Sequence, residues 1–207
     1  VEAGVRAVTI TGPRVVGLDL SLTSTGVSDG QSTHAIQTAP GPALEARLDT
    51  LLRGVVAFVL SPTQWTDRQP YGTRADLVVI EAPAWSRAKQ TGHEELSALR
   101  VMVRHRLWRL DIPYALVPPT TLKKYTTGNG TASKQLMVFT MDDRYGAGLS
   151  NVLVKDGRYD RADALALAAM GYDHVGQPLK QVWSTSMPPC RDSLDGVRWP
   201  PLLSDEN

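Results

Sequence analysis

Cysteine is almost missing from this chain. Of 207 residues only Cys190 is one, so no intramolecular disulfide framework can staple the fold, and a reducing compartment suits it. Long apolar runs are missing too, and none approaches the ~18 residues of a membrane-spanning helix. The opening stretch VEAGVRAVTITG has no apolar core of secretory-signal length, so the expectation is a cytoplasmic protein with no membrane partner. Charge of one sign is lacking as well: a net charge of +1 excludes a simple polycation that coats nucleic acid. No Gly-x-x-x-x-Gly-Lys-Ser/Thr phosphate loop occurs, and His34, His93, His105 and His174 do not fall at zinc-ligand spacing.

What remains is an ordinary globular composition, 42% hydrophobic and 21% charged, with enough length for one substantial core. Charge is unevenly spread. Between Ala84 and Lys124, Arg87, Lys89, Arg100, Arg104, Arg106, Arg109, Lys123 and Lys124 face only Glu94, Glu95 and Asp111. Such clustering attracts phosphates, and equally fits a solvated helix face.

Hydrophobic periodicity organises the chain. Residues 14–20 (RVVGLDL) read as a buried strand ending in an aspartate, 21–26 as a small-residue turn, and 27–29 with 33–38 as two short meander strands. Apolar positions from 44 to 59 follow helical spacing after Pro42. Residues 61–75 form a loop, 76–82 (DLVVIEA) a second buried strand, 92–110 a long helix and 112–117 a short strand. Helices over 120–125 and 133–145 flank a Gly-Asn-Gly turn, and an Ala/Leu-rich helix covers 159–172. Beyond 175 the composition turns to Pro and Trp with no period, reading as a wrapping or disordered tail. The expected division is a 1–13 extension, a 14–174 α/β domain and a 175–207 tail. Three closely linked strands imply antiparallel pairing, and strands separated by helices imply parallel crossovers.

Two carboxylates stand out, because an unpaired acid in a buried strand is costly. Asp19 follows VVGL and Glu81 follows LVVI, at equivalent strand ends. Each alone fits a strand-end cap or a structural ion pair. Asp160 and Asp163, three residues apart at the head of the last helix, share a face; alone, they also fit an N-cap with a dipole partner. Four acids converging at strand ends would repel one another, and divalent cations relieve that repulsion. An oxygen-only set favours Mg²⁺, with Mn²⁺ substituting, over zinc. Two such ions about 3.5–4 Å apart form the usual clamp for phosphoryl displacement.

The segments GLDLSLTSTG (17–26), VVIEAP (78–83), LKKYTTGNGTASK (122–134) and DRADALALA (160–168) together resemble, in order and spacing, the motifs of the RuvC family of Holliday-junction resolvases. The resemblance implies an α/β RNase H-like fold with a five-stranded mixed sheet, three antiparallel strands then two parallel ones, and helices on both faces. It implies a homodimeric, metal-dependent endonuclease that resolves four-way DNA junctions by symmetric nicking with two ions per site. Asp19, Glu81, Asp160 and Asp163 then take the metal-ligand and catalytic roles, joined by Lys123 and Lys134, with Gly128 and Gly130 in the turn between them. A lysine near the scissile phosphate offsets charge that builds in the transition state. DNA contacts fall to Trp85, Arg87, Lys89, Lys123, Lys124 and Lys134.

Two positions depart from the family pattern. Leu20-Ser21 follows Asp19 where Pro-Gly is usual, which is closer to divergent phage-type relatives working in host cytoplasm. The aromatic expected three residues after Glu81 is Ala84, with Trp85 one place on; this tryptophan suits base stacking or plain packing. Helix 92–110 holds the family's dimer position, while its Leu96, Leu99, Val103 and Leu110 face also suits covering the sheet. Two further readings stay open: a broader branched-DNA or flap nuclease, and a catalytically silent junction-binding protein. The chain is too short for the second lobe of an actin-like ATPase.

Overall fold

In a computed structural model of the chain, residues 12–39, 41–60, 74–83, 92–182 and 187–201 are described. Three strands come first, β1 (Val15–Asp19), β2 (Ser24–Ser28) and β3 (Thr33–Gln37), followed by helix α1 (Leu44–Leu60). Then β4 (Leu77–Glu81) leads through α2 (His93–Arg109) to β5 (Tyr114–Val117). Three helices complete the domain: α3 (Pro119–Thr127), α4 (Lys134–Tyr145) and α5 (Arg158–His174). The strands form one sheet in the order β3-β2-β1-β4-β5. Pairing is antiparallel between β1, β2 and β3 and parallel from β1 through β4 to β5. This is the RNase H-like arrangement the sequence predicts. No described helix is long and apolar enough to cross a membrane.

Strand alternation divides the core in two. Val15, Leu77, Val79, Ala115 and Val117 face α3, α4 and α5, while Val16, Leu18, Val78 and Ile80 face α1 and α2. On the second side α1 buries Leu48, Leu51, Val55 and Val59, and α2 buries Leu99, Val103 and Leu107, one apolar stripe each.

The first side is built on close approach. Helix α5 is buried along most of its length, through small residues such as Ala162, Ala164, Ala166 and Ala168. A Cβ at Gly17 of β1 would stand 2.1 Å from the Ala164 carbonyl oxygen, and one at Gly26 of β2 would stand 2.0 Å from that of Asp160. Helix backbone therefore lies directly on strand backbone, which only glycine permits. Gly171 does the same from the helix, where a Cβ would reach within 2.5 Å of Val15 Cγ1.

Some boundaries differ from those the sequence suggests. β2 begins at Ser24, inside the expected turn, because Thr25 and Gly26 pair with Ile36 and Ala35 and lie buried beneath α5. Pro119, just ahead of the helix expected from 120, occupies the first turn of α3, where its missing N–H costs nothing. Residues 187–201 lie on the domain. The buried Arg144 donates to the carbonyls of Thr126 (2.7 Å) and Met187 (2.9 Å), Cys190 N–H donates to Tyr125 O, and Trp199 stacks on His174 at 4.1 Å.

Gly17→Ala is expected to lose about 2–4 kcal/mol in a urea-unfolding measurement, since the atoms it would strike, Ala164 O and Ala168 N, are main chain. Gly196→Ala, with open space around the new methyl, should stay within about 0.5 kcal/mol of wild type. Equal losses at both positions would show that the α5 contact does not have this tightness.

Candidate active site

The parallel register carries two acids to the same level. Leu18 lies opposite Ile80, so the next residues, Asp19 and Glu81, end neighbouring strands side by side. By alternation Asp19 falls on the face of Val15 and Gly17, and Glu81 on that of Leu77 and Val79, the side on which α5 packs. The Gly17 and Gly26 contacts lay the first turns of α5 across this corner and bring Asp160 and Asp163 to it. Helix α5 starts at Gly157 with φ 80° and no side-chain cap, so Asp160 lies within the first turn and is not its N-cap. None of the four acids forms an ion pair among the described residues; the ion pairs lie elsewhere. Among the described residues, neither an N-cap at Asp160 nor a structural ion pair accounts for these acids.

All four carboxyls titrate above their ordinary range. Asp19, 9% exposed, is pushed well up by burial and then by the charges of Glu81 and Asp160. Burial followed by Asp163 raises Glu81 to about 7, and burial followed by Asp19 raises Asp163 to about 8. Asp160 is raised by burial, against the pull of Ser24 and Lys134. The favourable end of the α5 dipole does not outweigh desolvation here. Asp19 and Glu81 lie within side-chain hydrogen-bonding reach of each other, and two acids this close do not both ionise without cost. As the side chains stand, no three His, Cys, Asp or Glu groups among the described residues form a ready ion cage. The donor set nevertheless fits hard divalent ions: four oxygen ligands, largely buried, unpaired and mutually repelling.

These acids floor a cleft of about 330 Å³. Lys123, from α3, and Lys134, at the start of α4, line it, and the field of Lys134 reaches all four carboxyls. Ser133 caps α4 by accepting from Leu136 N–H at 3.2 Å, which fixes where Lys134 begins the helix. The αL residue Gly128 ends α3 and lets the chain turn from one lysine to the other. Lys124 is exposed and is not part of the cleft lining. Trp85, Arg87 and Lys89 lie outside the described residues.

Sequence reasoning missed the wall opposite the lysines. His93, Leu96 and Arg100 of α2 line the cleft, although none of the three was among the expected site residues. Their 0, 3, 7 spacing on a helix that follows an acid-ended strand was the available signal.

No family model matches the sequence, and no curated protein matches it. Solved structures do. Thermus thermophilus RuvC superposes with a TM-score of 0.54 at 17% identity, over 81% of this chain and 99% of that one. T. thermophilus RuvC in complex with Holliday junction substrate gives 0.54 and 17% over 83% and 100%. The yeast mitochondrial Holliday junction resolvase Ydc2 gives 0.46 and 13% over 75% and 76%. The chain thus has the RNase H-like fold of RuvC over nearly all of that protein's length.

The raised acids set a pH dependence. Unfolded, Glu81 and Asp163 would lose their protons above their ordinary values of 4.5 and 3.8; folded, they keep them to about 7 and about 8. Folding therefore takes up protons in this window, and metal-free stability falls as pH rises through it. Divalent ions bind the deprotonated acids, so their stabilisation should grow over the same range. Thermal melts with and without millimolar Mg²⁺ should separate little near pH 5 and progressively more toward pH 8.5. A separation independent of pH would contradict this assignment.

Proposed function

We propose that the chain is a metal-dependent endonuclease that resolves four-way (Holliday) junctions by symmetric nicking, acting as a homodimer with two Mg²⁺ ions per site. The observation that carries this reading is the convergence of Asp19, Glu81, Asp160 and Asp163 in one cleft edged by Lys123 and Lys134, on the fold of a protein whose solved complex holds Holliday junction substrate. Bound by the four carboxylates, Mg²⁺ or Mn²⁺ supplies Lewis acidity toward water and phosphate. The protein's own groups do the rest. Lys134 and Lys123 counter negative charge at the reacting phosphate, and the buried floor keeps the acids from being screened by bulk water. On the outer side of α2, Val101 and Trp108 are 55% and 66% exposed, a face suited to a second copy. Paired active sites related by a two-fold axis match a two-fold junction.

A silent junction binder would have no use for four buried acids, which weaken phosphate affinity unless cations occupy them. The broader branched-DNA nuclease is separated by substrate choice. With Mg²⁺ the protein should introduce paired nicks in a synthetic four-way junction in preference to flap, fork, RNA–DNA hybrid and linear duplex. Asp163→Asn should bind the junction yet cut at least about 100-fold more slowly, and Lys134→Ala should fall by a similar factor. Equal cutting of junction and linear duplex would remove the junction-selective part of the proposal.

A further inference from the structure

Arg100 has no role in any motif discussed so far. It stands on α2 at the far wall of the cleft, on the face it shares with His93 and Leu96, while Leu99 and Val103 on either side turn into the core. Its side chain is half-buried, and its Nε is fully buried with no hydrogen-bond partner among the described residues. Arg104, one turn on, donates to the Arg100 backbone carbonyl and leaves the guanidinium unengaged. Glu81 and Asp19 are the opposite charges whose fields it feels, yet it forms no ion pair with either.

A buried donor without an acceptor is costly, and natural structures hold few of them. No acceptor meets this one among the described residues, and an anion entering the cleft can supply it. The acids on the floor are ligands for cations, which leaves the guanidinium a different anion. Its planar fork suits two oxygens of one phosphate better than an ammonium does. The two walls then carry complementary groups, Lys123 and Lys134 from α3 and α4 on one side and Arg100 from α2 on the other. A strand lying along the acid floor would present its backbone to both.

We propose that Arg100 is a catalytic residue that binds the phosphodiester reacting in the cleft, from the wall opposite Lys123 and Lys134. The proposal rests on the nuclease reading given above and names a further contact within it.

Two measurements test it. In a cleavage-silent Asp163→Asn background with Ca²⁺, adding Arg100→Gln should weaken junction binding and lower the slope of log affinity against log salt by about 0.9, the signature of one lost phosphate contact. In the otherwise wild-type protein, Arg100→Gln should slow single-turnover cutting about 100-fold at saturating DNA and Mg²⁺. Arg100→Lys should recover part of that loss, and calorimetric Mg²⁺ binding without DNA should be unchanged or tighter. Arg100→Met, which keeps the aliphatic stem, should repeat the Gln result with an unaltered melting temperature. An unchanged salt slope, an unchanged rate, or a rate restored by excess Mg²⁺ alongside weakened Mg²⁺ binding would each overturn the proposal. If the wild-type protein binds junctions but never cuts, the nuclease reading fails, and the salt slope alone decides whether Arg100 holds a phosphate.

Discussion

The backbone of α5 rests on the backbones of β1 and β2 at Gly17 and Gly26, with no side chain between them. That contact determines where the first two turns of the helix lie, and hence where Asp160 and Asp163 lie relative to the strand ends. Were either glycine any other residue, the helix would have to lift, and the two pairs of acids would part. The small side chains along α5 serve the same end. They give up some of the apolar area that larger residues would bury in return for closeness to the sheet.

Closeness brings an electrostatic cost. Four carboxyls share a poorly solvated corner, and burial raises the pKa of each. A site selected for stability alone would replace them with apolar side chains. Cations offset this on the cleft walls: Lys134 reaches all four acids, Lys123 stands beside it, and Arg100 faces them both. An acidic floor between basic walls is a chemically specific arrangement. On the function proposed above, the floor is suited to divalent metal and the walls to the backbone of a nucleic acid.

Much of this was legible in the sequence, for identifiable reasons. β1 and β4 declare themselves by β-branched runs that end in acids, and α1, α2 and α5 by apolar spacing. Metal-ligand candidates were visible because a carboxylate after four apolar strand residues has few benign explanations. Where reading failed, local pattern and tertiary demand diverged. The Ser24-Thr25-Gly26 start of β2 looks like a turn, yet forms a strand because a small residue is needed beneath α5. Arg100 looked like one more surface cation in a basic helix, and only the path of α2 past the end of β4 turns it into the cleft. The segment from 187 to 201 carries no period at all. It is held by the Arg144 bonds to backbone carbonyls and by the Trp199 stack on His174, long-range contacts that no local pattern encodes.

Anomalous diffraction from crystals soaked in Mn²⁺ addresses the central claim most directly, that these four acids are a metal site and not a buried proton-sharing cluster. Manganese peaks bonded by oxygens of Asp19, Glu81, Asp160 and Asp163 are the predicted result. No anomalous density in the cleft at millimolar Mn²⁺ above pH 8 would contradict it.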